Sequence, residues 1–155
     1  MSDMRRRAIE GLRPGDTFTV TRTFDEEQVR GFGALSRDDN PVHHDARYAA
    51  TKGFDRLICH GLLVGSLVTE IGGQVGWLAS RMEFRFVKPV YVGDTVTCRL
   101  TVTEVDARGR ARAHAVFTDQ RGATVLEAAM SGHLPGEASR AVLAALVAEA
   151  DGPGR

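Results

Sequence analysis

Two cysteines, five prolines and a single tryptophan in 155 residues leave little to staple, break or anchor this chain. Cys59 and Cys98 both sit in apolar stretches and match no zinc or redox spacing, so reduced, buried thiols are expected rather than a disulfide. Net charge is missing too. Twenty basic residues balance twenty acidic ones, which favours neither a nucleic-acid groove nor a membrane surface, so any phosphate on a ligand has to be met locally. No uncharged stretch is long enough to span a bilayer, and Met1 to Arg7 leads into no apolar run of signal-peptide length, so a soluble, cytoplasmic protein is expected. The length is that of one domain, enough to bury a core without disulfides or a structural metal.

What is present is a change of hydrophobic period. Phe18 and Val20 alternate with threonines as in a half-buried strand, and Asp25 then caps a helix carrying Val29, Phe32 and Leu35. Asp45 can cap a short helix that stops at Gly53. Gly61 to Ile71 reads as a longer helix closed by Gly72 and Gly73, apolar around most of its axis and therefore expected to be buried under a sheet. Beyond it the period becomes two. Met82, Phe84 and Phe86, then Val96 to Val102, then Ala113 to Phe117 mark antiparallel strands, broken at Lys88-Pro89, Tyr91 to Asp94, Asp106 to Gly109 and Asp119 to Gly122. Strand, helices, buried helix and a strand meander make an α+β order. The expected division is 1–136 as the main domain and 137–155 as an amphipathic helical appendage, with Val142, Leu143, Leu146 and Val147 on one face. Arg5 to Arg7 reads as a solvated tail.

The chemistry concentrates in Ser36-Arg37-Asp38-Asp39-Asn40-Pro41-Val42-His43 and Cys59-His60-Gly61-Leu62-Leu63. Pro41 fixes its own φ and keeps Asn40 out of the helical region, so the first segment is a stiff bend able to aim Asp38 and His43 at one water. Gly61 opens the apolar helix, where unpaired N–H groups and the positive end of the dipole favour an anion-like oxygen. Asn40 is suited to orienting the loop. His60 is balanced between a structural role and ligand contact. His114 and His133 have no sequence partner, no His, Cys and carboxylate trio has metal-ligand spacing, and no metal is expected.

These motifs closely resemble the signature of the MaoC-like (R)-specific enoyl-CoA hydratases. The resemblance implies a hotdog fold, an antiparallel sheet wrapped around a long central helix, with a homodimer as the working unit and an acyl-CoA thioester as substrate. It requires no cofactor. It implies that Asp38 and His43 share the catalytic water, that addition is concerted and syn, and that the Gly61 N–H meets the thioester carbonyl, with Thr69 standing where many members carry serine and Arg37 where many carry glycine. Thr69 is thereby a candidate positioning hydroxyl. Two other readings stay open: a thioesterase using Glu70, since hotdog thioesterases place an acidic residue on this helix, and a non-catalytic acyl-thioester-binding subunit. Hydration of a CoA ester and dehydration of a hydroxyacyl carrier-protein ester would use the same groups. Leu63, Leu67 and Ile71 are candidates for setting acyl length.

Overall fold

The computed structural model describes residues 2–150. Its elements, in chain order, are α1 Asp3–Glu10, β1 Thr17–Thr23, α2 Glu26–Ser36, a 3₁₀ turn Pro41–His43, α3 Ala46–Thr51, α4 Gly61–Gly65, α5 Leu67–Val75, β2 Leu78–Phe86, β3 Thr95–Val105, β4 Arg110–Thr118, β5 Thr124–His133 and α6 Glu137–Ala150. The five strands form one antiparallel sheet in the order β1-β3-β4-β5-β2. β3, β4 and β5 form a meander, but β2, expected to open it, instead pairs with β5, so that β1 and β2 are left at the two edges.

The hairpin turns are built by aspartates. Asp106 Oδ1 accepts the Arg108 and Arg110 N–H groups at 2.8 and 2.9 Å, and Asp119 Oδ1 accepts those of Arg121 and Ala123 at 2.9 Å. Gly109 and Gly122 supply the positive φ that closes each turn. Along β3 and β4 one face is buried and the other open: Val96, Cys98, Leu100 and Val102, with Ala111, Ala113, Ala115 and Phe117, point inward. The alanines of β4 let the sheet curl onto α4 and α5, whose Leu67, Val68 and Ile71 are fully buried. This is the α+β hotdog arrangement expected from the motifs. Truncating such a side chain typically costs about 2–5 kcal/mol, so these contacts fix where the α4 N-terminus sits.

Four features differ from expectation. The central helix tightens at Ser66, whose hydroxyl donates to the Leu63 carbonyl at 2.6 Å, and then runs through Gly72 and Gly73 to Val75. Val75 is buried and Gly76, at φ +72°, supplies the left-handed cap, so packing rather than the glycine pair decides the end. The helix is also buried on one side only: Leu62 is 59% exposed, and Thr69 and Glu70 face outward. Thirdly, the arginine-rich start is a helix, not a loose tail. Ser2 caps it, Arg5 donates to the Gly73 carbonyl at 2.9 Å, and Arg7 bonds Asp16 while its guanidinium lies 4.4 Å from the Phe18 ring centre. In α6, Leu143 and Val147 turn inward, Leu143 against Gly76, while Val142 and Leu146 face outward, splitting the expected apolar face. Residues 151–155 of the expected appendage lie outside the described residues.

α2 ends on Arg37, an exposed residue held in the left-handed region at φ 59°. A side chain there costs about 1–2 kcal/mol, part of which glycine's larger unfolded-state entropy offsets. Arg37→Gly is therefore expected to stabilise the fold by roughly 0.5–1 kcal/mol, raising the melting temperature by about 1–4 °C. A lower melting temperature would show that Arg37 makes a compensating contact.

Candidate functional site

The bend after α2 is organised by its own side chains. Asn40 Oδ1 accepts the Val42 N–H, capping the 3₁₀ turn, while the Asn40 N–H donates to Asp38 Oδ1, each at 3.3 Å. The turn is tied to the segment before α4 by the Ile58 N–H donating to the Val42 carbonyl at 3.2 Å, and Cys59 is held to Val90 at 2.7 Å. These bonds bring residues 38–43 against residues 58–61.

His43 is almost enclosed, and its Nδ1 lies 2.8 Å from the Ile58 carbonyl. A carbonyl only accepts, so Nδ1 carries the hydrogen and Nε2 presents a lone pair. Nε2 faces Asp38 Oδ2 at 3.8 Å, too far for a direct hydrogen bond. The Asp38 side chain is half exposed. Two acceptors thus face each other; His43 lines a small cavity of about 100 Å³ with Val29 and Leu57, separate from the larger one beside Gly61.

Gly61 is the first residue of α4, after His60 in extended conformation. Its N–H has no partner in the backbone network of the described residues. A Cβ at Gly61 would stand 2.5 Å from Phe86 Cε1, and one at Gly65 would stand 3.0 Å from Phe84 Cε1, so these two glycines let α4 lie on the inner face of β2. Beside Gly61 opens a mostly apolar cavity of about 280 Å³ lined by residues including Ile58, Cys59, Val64, Phe86 and Leu126, with Lys88 at its edge. Burial pushes the Cys59 thiol up to about 12, so it is a wall and not a nucleophile. His60 joins the halves of the site: it is 3% exposed, stacks on His43 at 3.7 Å between ring centres, and approaches the Asp38 carbonyl.

The comparisons with known proteins decide the family. The model of the MaoC like domain matches residues 11–123, which takes in every element from β1 through β4. This chain belongs to the MaoC-like domain family. It is 38% identical over 100 residues to the (R)-specific enoyl-CoA hydratase of Aeromonas caviae, covering 62% of this chain and 75% of that one. The (R)-specific enoyl-CoA hydratase of Rhodospirillum rubrum is 32% identical over 99 residues, 61% and 69% of the two chains. Among solved structures, the unliganded R-hydratase PhaJ1 of Pseudomonas aeruginosa superposes with a TM-score of 0.77 at 32% identity, over 83% of this chain and 86% of that chain.

Within this MaoC-like domain the other candidates are placed less centrally. Thr69 lies on the outward face of α5 and donates its hydroxyl to the Ser66 carbonyl at 2.7 Å rather than to the Asp38 and His43 pair. Glu70 pairs with Arg22 of β1 and borders a different depression, beside Ser2, Arg7 and Gln74, so it is not brought to the cavity at Gly61. Leu67 and Ile71 are core residues and do not line that cavity. Of the cations on and just after β2, Arg81 and Arg85 are paired with Glu83 and Glu127, whereas Lys88 has no carboxylate partner among the described residues. Folding does bring together a trio that linear spacing hides, since Asp38, His43 and His60 each offer a donor atom within 4.8 Å of the others. Two rings stacked face to face do not converge their in-plane lone pairs on one ion, so the arrangement suits proton transfer better than metal ligation.

His60 also sets an acid limit. Burial, chiefly, holds its pKa below the ordinary 6.5, against an opposing bond to the Asp38 carbonyl. As pH falls through 6.5 the unfolded chain takes up a proton that folded His60 refuses, so stability declines until pH drops below the folded value. Carboxylates held low by backbone N–H donors, such as Asp119, lose their contribution only below their ordinary 3.8. Urea midpoints measured between about pH 7 and 5 should fall, and the fall should shrink in His60→Gln. Equal slopes in both proteins would remove His60 from the account.

Proposed function

We propose that this protein is an (R)-specific enoyl-CoA hydratase, a hydro-lyase that reversibly adds water to a trans-2-enoyl-CoA to give an (R)-3-hydroxyacyl-CoA. The observation that carries the reading is the pair of acceptors, His43 Nε2 and Asp38 Oδ2, facing each other at 3.8 Å. A water that donates one hydrogen to each has its lone pairs directed at the substrate, in line with a β-carbon laid over it. The C3–O bond forms as His43 Nε2 takes a proton from the water, the π electrons move toward the thioester oxygen, and His43 passes that proton on to C2 from the same face as the charge returns from the oxygen. The two side chains end as they began, so no redox cofactor is consumed. The Gly61 N–H, at the positive end of α4, receives the charge developing on the thioester oxygen. Asn40 acts by holding the bend. Lys88 is our candidate for a coenzyme A contact at the cavity mouth.

Chiral separation of the product from crotonyl-CoA tests the reading: (R)-3-hydroxybutyryl-CoA is expected, and the (S) product or free coenzyme A would contradict it. We place the enzyme in the cytoplasm, in keeping with two free buried thiols; no helix among the described residues is long and apolar enough to cross a membrane.

The working unit in this proposal is a homodimer. β2 is an edge strand with Leu78 76%, Met82 38% and Phe86 56% exposed, beside the outward Leu62. An open apolar edge of this kind is normally covered, and a second copy of the same strand is self-complementary. Sedimentation should give a dimer, and Leu78→Asp with Met82→Asp should give monomers with reduced turnover. A wild-type monomer with full activity would rule the dimer out.

A further inference from the structure

His60 stacks on His43, reaches the Asp38 backbone carbonyl and immediately precedes the Gly61 amide. Its Nε2 is 3.2 Å from the Asp38 carbonyl oxygen, and because that oxygen only accepts, Nε2 carries the hydrogen. Nδ1 is then a bare lone pair, buried and without a hydrogen-bond partner among the described residues. One ring face stacks on His43 with planes 28° apart, and Phe32 packs against the ring at 5.1 Å. The His60 carbonyl accepts the Val64 N–H at 3.2 Å within α4, and the next amide in the chain is that of Gly61. Gly33 of α2 packs beside the ring, where a Cβ would make ordinary contact at 3.5 Å with its Cε1 and Nε2.

We infer that His60 is a positioning residue for hydration: a neutral, Nε2-protonated imidazole that pins the Asp38 loop through its N–H and sets the plane of His43 through its ring face. The inference rests on the hydratase reading of the same site. Neutrality is required by the surroundings, because a second proton would sit on a buried Nδ1 with no acceptor and against a neighbouring imidazole. A neutral face also suits a partner ring that takes up the water's proton during the reaction, whereas two stacked cations would repel. A packing role alone predicts that any buried ring serves. A positioning role predicts that the N–H matters separately from the ring.

The test compares His60→Gln, which keeps a donor at the reach of Nε2, with His60→Phe, which keeps a buried ring and loses the donor. Wild type and Asp38→Asn run beside them with crotonyl-CoA. Both variants should melt cooperatively. His60→Phe should lose about 10- to 100-fold in kcat with little change in KM, as misplaced catalytic groups do, and His60→Gln should recover most of the loss. Near wild-type kcat in His60→Phe, or a folded Gln variant no better than Phe, would overturn the inference. Should either variant fail to fold, nitrogen chemical shifts of labelled histidine in the wild type decide the matter. An Nε2–H tautomer that stays neutral below the ordinary histidine range is expected, and an Nδ1–H tautomer or an imidazolium at neutral pH overturns it. Absence of hydration in the wild type would instead sink the hydratase reading, which separates the two failures.

Discussion

Asp38→Asn should reduce hydration by roughly 10²- to 10⁴-fold, the range over which a positioned acid/base group contributes, with melting temperature close to wild type. The fold should tolerate the change because the side chain is half exposed and its recorded side-chain bond, from the Asn40 N–H to Oδ1, can be kept by the amide oxygen. The chemistry should not tolerate it. Where the carboxylate offers a second acceptor facing His43 Nε2 at 3.8 Å, the amide can turn an NH₂ donor toward that lone pair and compete with the water for it. The loss should fall on kcat, since the water and not the thioester is displaced. Activity within a few-fold of wild type would mean that His43 acts alone or that the water is bound elsewhere.

Gly61→Pro should cost about 10²- to 10³-fold in kcat relative to Gly61→Ala, matching the loss of one oxyanion donor worth about 3–4 kcal/mol. Gly61 is the first helical residue, the position where proline is accommodated because that N–H has no helical partner. His60, at φ −60° and ψ 131°, already has the extended conformation that a following proline requires. Each variant brings a Cβ toward Phe86, whose half-exposed ring can swing aside. The alanine protein therefore reports that displacement, and the proline protein reports displacement plus the missing N–H. Equal kcat values in the two would take the Gly61 amide out of the mechanism.

The geometry of the candidate site was legible in sequence because its parts are short-range. Asp38, Asn40, Pro41 and His43 make one bend, and Gly61 declares itself by opening an apolar helix. The hairpins β3 to β5 were legible for the same reason, from period-two alternation and the Asp and Gly turns at 106–109 and 119–122, whereas the place of β2, read as the first strand of the run, was not: it pairs with β5. What escaped was what tertiary contact decides. A helix over residues 3–10 looks like a charged tail until the guanidinium groups of Arg5 and Arg7 find the Gly73 carbonyl and the Phe18 ring. Met82, Phe84 and Phe86 have the pattern of an inward face and pair with the buried Met130, Ala128 and Leu126, yet β2 is an edge strand on which Met82 and Phe86 stay exposed. Thr69 kept the hydroxyl that the motif calls for, but a β-branched side chain on a helix readily bonds its own backbone, here at Ser66. His60 could not be ranked from sequence, since its weight comes from a stack and a carbonyl 17 and 22 residues away.

The most direct measurement is the loss of the ultraviolet enoyl-thioester band of crotonyl-CoA, followed together with free thiol, for the wild type and Asp38→Asn. Loss of the band without thiol release, abolished in the variant, is the predicted result. Thiol release, or equal loss of the band in both proteins, would contradict the assignment of hydration to Asp38 and His43.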